Sequence, residues 1–238
     1  MSKIKKLKIF YKNKKILITG HTGFVGSWLS FYMLKLNCNV YGISKKNTVN
    51  SENYKILNIS RKLKKEFYID INNFKLLEKK ISLIKPDIIF HLAAQSYVID
   101  GYHNPLDTFM TNIIGTANVL KSSIKNKIKH NVIITTDKCY VNENKRFSFN
   151  ENSKLGGDDP YSASKACAEI ISKSISKSFS QNKIYIDTAR AGNILGGGDF
   201  GSNRLIPDII LSKRRKRNLE IRYPNAIRPW QNVLDVII

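Results

Sequence analysis

Tyr161 and Lys165 stand four residues apart, and Thr136, Asp137 and Lys138 form a consecutive triplet upstream of them. Residues at i and i+4 of a helix share one face, which brings a phenol and an ammonium together. Tyrosine is a poor base at its free pKa of about 10, but a neighbouring cation favours the phenolate. Such a pair takes the proton of a substrate hydroxyl, and Thr136 is placed to hydrogen-bond the same hydroxyl. Oxidation of an alcohol needs no further acid. Asp137 and Lys138 therefore point to a second step: a ketone acidifies the adjacent C–H, and an acid protonates a departing hydroxyl.

The elements that must position these groups are legible around them. Val132, Ile133 and Ile134 belong to an apolar run, His130–Thr135, that reads as a buried strand with Thr136 immediately after it. A long loop of functional length then leads to a helix from Tyr161 to about Ser180. Further strands are expected at Lys14–Thr19, Asn39–Ile43, Phe67–Ile71, Ile88–Ala94 and Ile184–Arg190, with another near Glu220–Tyr223. Helices are expected at Phe74–Ile84 and from Asn104 through Gly115 to Ile124, while residues 1–13 read as a basic lead-in. His91, inside an apolar strand, reads as a satisfied core histidine.

Between the first strand and an apolar helix lies Gly20-His21-Thr22-Gly23-Phe24-Val25-Gly26. Strand, glycine turn and helix make a dinucleotide-binding βα unit: one glycine for the turn, one for backbone approach to a pyrophosphate, one for close packing of the helix. The N–H groups of the helix start then hold the phosphates. With a nicotinamide cofactor as hydride acceptor, its cationic ring and Lys165 would both favour the Tyr161 phenolate. The expected cofactor-binding set is Gly20, Thr22, Gly23, Phe24, Val25 and Gly26 in the turn, Asp70 and Ile71 ending the third strand, and Ala93 and Ala94 ending the fourth, with Tyr161 and Lys165. The second strand is followed by Ser44-Lys45-Lys46 rather than by an acidic residue, which leaves NAD against NADP undecided. Arg190, Arg204 and Arg228 are candidates to converge on a phosphate-bearing ligand.

The fold class implied is α/β: a Rossmann-type doubly wound parallel sheet over residues 1–190, and a small partial substrate domain over 191–238. At 238 residues with 42% hydrophobic content, the chain can bury a substantial core. No apolar run approaches the roughly 20 residues that span a bilayer, and the basic N-terminus lacks the features of a signal peptide, so a cytoplasmic, membrane-free protein is expected. Three cysteines without CxxC spacing argue against disulfides and a metal site. The net charge of +22 raises nucleic-acid binding. The lysines are scattered, however, and the one cluster, Lys213–Arg217, reads as the solvated end of a helix, so no nucleic-acid partner is expected. Small residues in the helix around Gly115 suggest close packing against another helix, of this chain or of a second subunit, and a homodimer is expected.

GHTGFVGSWLS, HLAAQS, TTDKCY, GGDDPYSASKACAE, ARAGNILGGGDF, NRLIPD and IRPWQNVLD together resemble the extended short-chain dehydrogenase/reductase family, specifically its CDP-glucose 4,6-dehydratases. In related dTDP-glucose dehydratases an acid stands where Lys138 does. The resemblance implies NAD as cofactor and CDP-glucose as substrate, oxidised at C4 with Tyr161, Lys165 and Thr136, dehydrated across C5 and C6 with Asp137 and Lys138, then reduced at C6. Asn193, Arg204 and Arg228 match positions that contact the nucleotide diphosphate, and the product would feed dideoxysugar synthesis for surface polysaccharides. Family members continue beyond the position of Ile238, so a C-terminally truncated substrate domain is expected. A nucleotide-sugar 4-epimerase, or an inactive dinucleotide-binding module, is the alternative.

Overall fold

Hydrophobic runs too short for helices and apolar on both faces must be covered on both faces, and they build the centre of this protein. The computed structural model describes residues 3–46, 51–143, 148–201, 203–221 and 223–238. In chain order these form α1 (Lys3–Tyr11), β1 (Lys15–Thr19), α2 (Phe24–Lys35), β2 (Asn39–Ser44), α3 (Glu52–Ile56), β3 (Lys65–Tyr68), α4 (Phe74–Ile84) and β4 (Ile88–His91). There follow α5 (Val98–His103), α6 (Pro105–Phe109), α7 (Gly115–Lys125), β5 (His130–Thr136), α8 (Pro160–Ser178) and β6 (Tyr185–Ala191). The chain closes with β7 (Asn193–Leu195), α9 (Leu205–Arg215), β8 (Trp230–Asn232) and α10 (Val233–Ile237).

Six parallel strands lie in the order β3-β2-β1-β4-β5-β6, the doubly wound Rossmann-type arrangement expected. The winding reverses between β1 and β4, so the carboxyl ends of those strands face a crevice at the topological switch point. Side chains alternate across the sheet. Leu17 of β1 packs with Ile43, Ile89, Leu77, Ile81 and Val119 on the α4/α7 face. Ile16 and Ile18 pack with Val40, Leu29 and Met33 on the α2 face. Glycine spacing brings α2 in close: a Cβ on Gly26 would lie 2.1 Å from the Gly20 carbonyl oxygen.

Several boundaries depart from the pattern in the sequence. Residues 3–11 are helical rather than a mere lead-in, because Leu7 and Tyr11 pack on the α2 side of the core. β4 stops at His91, short of Ala94, since the Thr19 hydroxyl accepts from the Ala93 N–H at 3.2 Å. β3 runs Lys65–Tyr68 instead of Phe67–Ile71, because Asp70 turns the chain by accepting from the Asn72 and Asn73 N–H groups. The helix expected over 104–124 is divided by a π-helical turn at Met110–Ile114. There the buried Asn112 side chain accepts from Gln95 N and donates to Gln95 O and Ser164 Oγ. No strand forms at the described residues near Glu220–Tyr223. The partner of β7 is instead β8, paired in parallel with Asn193 opposite Trp230.

The helix carrying Tyr161 begins at Pro160, whose fixed φ suits the first turn, and its N-cap Asp159 accepts from Ser162 N at 3.0 Å. The segment between β5 and α8 folds back on itself, with Tyr140 bridging Leu155 and Gly156 N donating to Cys139 O. Lys213–Arg215 end α9, and Lys216 takes the left-handed conformation that stops it. No helix among the described residues is long and apolar enough to cross a membrane.

The packing of α2 on the turn makes a differential prediction. Gly26→Ala forces a backbone collision and is expected to lower stability by about 1–3 kcal/mol. Gly197→Ala, where a new Cβ meets nothing within 4 Å, is expected to leave the urea midpoint unchanged. Equal midpoints for the two variants would show that the close approach is not a constraint.

Candidate active site

The switch-point crevice is floored by the glycine turn. Gly20 sits at φ +74, and a side chain there would meet Ala93 N at 2.7 Å, so the turn lies directly against the end of β4. α2 starts immediately afterwards with Gly23 as N-cap and no side-chain cap. The N–H groups of Phe24, Val25 and Gly26 thus have neither an intrahelical acceptor nor a capping side chain. That donor set fits a pyrophosphate.

Thr22 is buried and donates its hydroxyl to Ser44 Oγ at 3.2 Å, while its carbonyl accepts from Ser51 N at 2.9 Å, so it braces the turn from within. Behind the turn is a network that sequence reasoning missed. The fully buried His21 ring contacts Ser44 Oγ through Nδ1 and Glu66 Oε2 through Nε2, both at 2.9 Å. Glu66 also accepts from Tyr54 and Ser60. Burial pushes the Glu66 carboxyl up, but its hydrogen bonds hold it below the ordinary value. A histidine between two glycines of the turn was the available signal. Lys45, standing where an acid was sought, is ion-paired to Asp70 at 3.2 Å, so an acidic group does reach the end of β2, from the end of β3. Ile71 is a core residue whose carbonyl accepts from Asn118.

At the other side of the crevice the β5 terminus meets α8. Thr136 Oγ1 donates to Asp137 Oδ1 at 3.0 Å, and Thr136 is near enough to Tyr161 to lower its phenol. Burial pushes the Tyr161 phenol up to about 12, against the lowering effect of Thr136 and of the Arg204 guanidinium. Lys165 is buried, donates to the Ile134 carbonyl at 3.1 Å, and is driven by burial down to about 8. In the protein alone Arg204 is a cation acting on the phenol, and burial outweighs it.

Lys138 is lowered by burial and then by Arg228, with Arg204 adding to the effect, while Asp137 and Asp159 oppose it. Three cations thus approach one another beside Tyr161. Arg204 is held by Asp199 at 2.9 Å, and its guanidinium lies 5.3 Å from the centre of the Tyr97 ring. Arg228 is exposed, and Asn193 sits next to it through its N–H to Pro229 O at 2.8 Å. Arg190 does not join them. It is committed to the buried Glu169 carboxylate at 2.8 Å and to Tyr140, which corrects its reading as a phosphate donor. His91 is satisfied by Thr19 and Thr116, and burial drives it down to about 3, in keeping with a neutral core histidine. Cys139 is fully buried and pushed up to about 11, so it is an inert thiol.

Both the sequence and the fold have relatives among known proteins. The chain is 39% identical over 235 residues to a CDP-glucose 4,6-dehydratase of Salmonella typhimurium, covering 96% of this chain and 65% of the relative. It is 33% identical to a dTDP-D-glucose 4,6-dehydratase of Dictyostelium discoideum, covering 83% of this chain and 47% of that one. The chain therefore spans about two thirds or less of these relatives. A solved dTDP-glucose 4,6-dehydratase from Bacillus anthracis in complex with NAD superposes with a TM-score of 0.81 at 26% identity, covering 94% of this chain and 69% of that one. A UDP-glucose 4-epimerase from Thermotoga maritima shares the fold, with a TM-score of 0.85 at 24% identity, covering 94% of this chain and 71% of that one. The GDP-mannose 4,6 dehydratase family matches residues 17–238, from the middle of β1 to the last residue, and the chain belongs to that family.

Proposed function

We propose that this chain carries the NAD-binding and catalytic parts of a CDP-glucose 4,6-dehydratase, yielding CDP-4-keto-6-deoxyglucose. The observation that carries the reading is the pairing of two chemistries at one sheet edge. Thr136 and Tyr161 stand beside Asp137 and the desolvated Lys138, at the same sheet edge as an uncapped helix N-terminus. The similarity to the Salmonella enzyme supports CDP-glucose as the substrate. We assign residues 1–190 to the cofactor domain and 191–238 to nucleotide-sugar binding through Asn193, Arg204 and Arg228.

The turn Gly20–Gly26 would hold the pyrophosphate through backbone N–H groups, with Asp70 and Ile71 toward the adenosine end and Ala93 and Ala94 leaving room along the sheet edge. NAD, when bound, supplies what no side chain can: a hydride acceptor at C4 that gives the hydride back at C6. Tyr161, aligned by Thr136, accepts the C4 hydroxyl proton, and Lys165 favours its phenolate as a buried ammonium. With C4 oxidised, the C5 hydrogen is acidic. Lys138, whose ammonium form is disfavoured by burial and by Arg228, stands at the same strand end to serve as the base for that proton. Asp137 delivers a proton to the departing C6 hydroxyl, which leaves as water, and a proton returns to C5 as C6 is reduced. A homodimer is supported by the exposed Leu106, Met110 and Ile114, spaced four residues apart along α6 and the π-helical turn.

Purified protein with NAD and CDP-glucose is expected to give a 4-keto-6-deoxy sugar, measured by its absorbance in alkali. Recovery of a C4 epimer without loss of water would replace the reading with an epimerase. Failure to turn over with NAD bound would leave a binding module.

The two chemistries should also separate by substitution. Tyr161→Phe is expected to slow C4 oxidation by at least about 100-fold with NAD affinity kept. Asp137→Asn should let reduced cofactor accumulate while water loss slows by about 100-fold or more. Unchanged dehydration in Asp137→Asn would remove its acid role.

A further inference from the structure

Glu169 lies one helical turn beyond Lys165 on the same side of α8 and is 3% exposed. Both of its carboxylate oxygens are engaged. Oε1 accepts from the Thr135 hydroxyl, while Oε2 accepts from Thr188 Oγ1 and Arg190 Nη2, each at 2.8 Å. These partners come from the ends of β5 and β6, and Thr135 immediately precedes Thr136. Arg190 continues outward, donating to the Tyr140 hydroxyl at 3.1 Å and the Glu151 carbonyl at 3.2 Å. One buried ion pair thus joins α8, both strands and the segment that connects them. An apolar pair of similar volume would hold a helix on a sheet without the cost of desolvating two charges.

We propose that Glu169 is a positioning residue for the redox pair: its carboxylate locks α8 to the ends of β5 and β6 and supplies the negative charge that keeps Lys165 an ammonium. The proposal rests on the reading of Tyr161 and Lys165 as that pair. Burial drives Lys165 down to about 8, and the opposing groups are Glu169 first and Cys139 second. Cys139, from the turn after β5, is pushed up to about 11 and is a neutral thiol at pH 7. His91 on β4 is driven down by burial and by Lys165 itself, and is neutral. Burial pushes the Glu169 carboxyl up, but hydrogen bonds from Arg190, Thr135 and Thr188 hold it below the ordinary value, so it is ionised. Of the groups that act on Lys165, Glu169 is the anion.

The test follows the titration of Lys165 directly, by pulse acetylation with acetic anhydride across pH and peptide mass spectrometry on the full chain. Only the neutral amine reacts. In Glu169→Gln the half-point for Lys165 is expected to fall by about 1 pH unit, with about 5-fold faster labelling at neutral pH. The exposed Lys3 serves as the internal reference. Glu169→Asp, which keeps the charge, should restore the titration toward that of the parent. If Glu169→Gln fails to fold because Arg190 is left unpaired, Glu169→Gln/Arg190→Gln carries the same expectation. An unchanged half-point in either folded variant, or the failure of both to fold, would overturn the electrostatic role in favour of a purely structural clamp. Labelling requires no sugar, so its failure leaves the dehydratase reading intact, and failed turnover of CDP-glucose leaves this proposal intact.

Discussion

The contact on which the crevice depends is backbone against backbone. α2 meets the glycine turn so closely that a methyl group on Gly26 would overlap the Gly20 carbonyl, and Gly20 in turn touches the chain leaving β4. Two segments distant in sequence, the turn with α2 and the chain leaving β4, are welded into one floor by the absence of side chains. Because the helix starts in that contact, with no side chain over its first turn, its N–H groups point into the crevice. The buried His21 ring then occupies the space behind the turn, where a Cβ on Gly42 would come within 2.4 Å of it. The turn is therefore supported from below by polar contacts to β2 and β3, and its shape is set without a bound ligand.

A second constraint follows from the parallel sheet. With both faces covered by helices, groups at the carboxyl ends of the strands are desolvated even though they line a crevice. Burial is the largest cause acting on Tyr161, Lys165, Lys138 and His91 alike. It drives phenol and amine in opposite directions, the phenol up to about 12 and the Lys165 amine down to about 8. Both shifts favour the neutral forms. A site that needs a phenolate and an ammonium must therefore restore charge through neighbours, Thr136 and Arg204 for one group and Glu169 for the other.

These facts explain what could be read from the chain alone. The six strands, their α/β alternation and the family were visible because apolar runs and glycine spacing are local signals that tertiary structure reinforced. The ends of β3 and β4 were misjudged because single side chains, Asp70 and Thr19, divert backbone N–H groups from the ladder without breaking the apolar pattern. The π-helical turn escaped notice for a similar reason: Asn112 binds the backbone of Gln95, a contact no helical periodicity encodes. Arg190 was misplaced, and Glu169 overlooked, because a charge on a helix or an edge strand reads as solvated until its partner is known.

That last point also bears on the net charge of +22, the most unusual number in the composition. Ion pairs that place an exposed lysine on an acid, such as Lys55 with Glu52 or Lys125 with Glu78, contribute about 0–1 kcal/mol. The pairs that shape the site involve acids whose side chains are withdrawn from solvent, Glu169 at 3% and Asp199 at 8% exposure, each holding one arginine. The excess of lysine is thus spread over a surface where water screens it. The few charges that burial makes strong are balanced almost one for one around Tyr161 and Lys165. Discrimination at such a site comes from which charges are desolvated, and the overall sign of the protein says little about it.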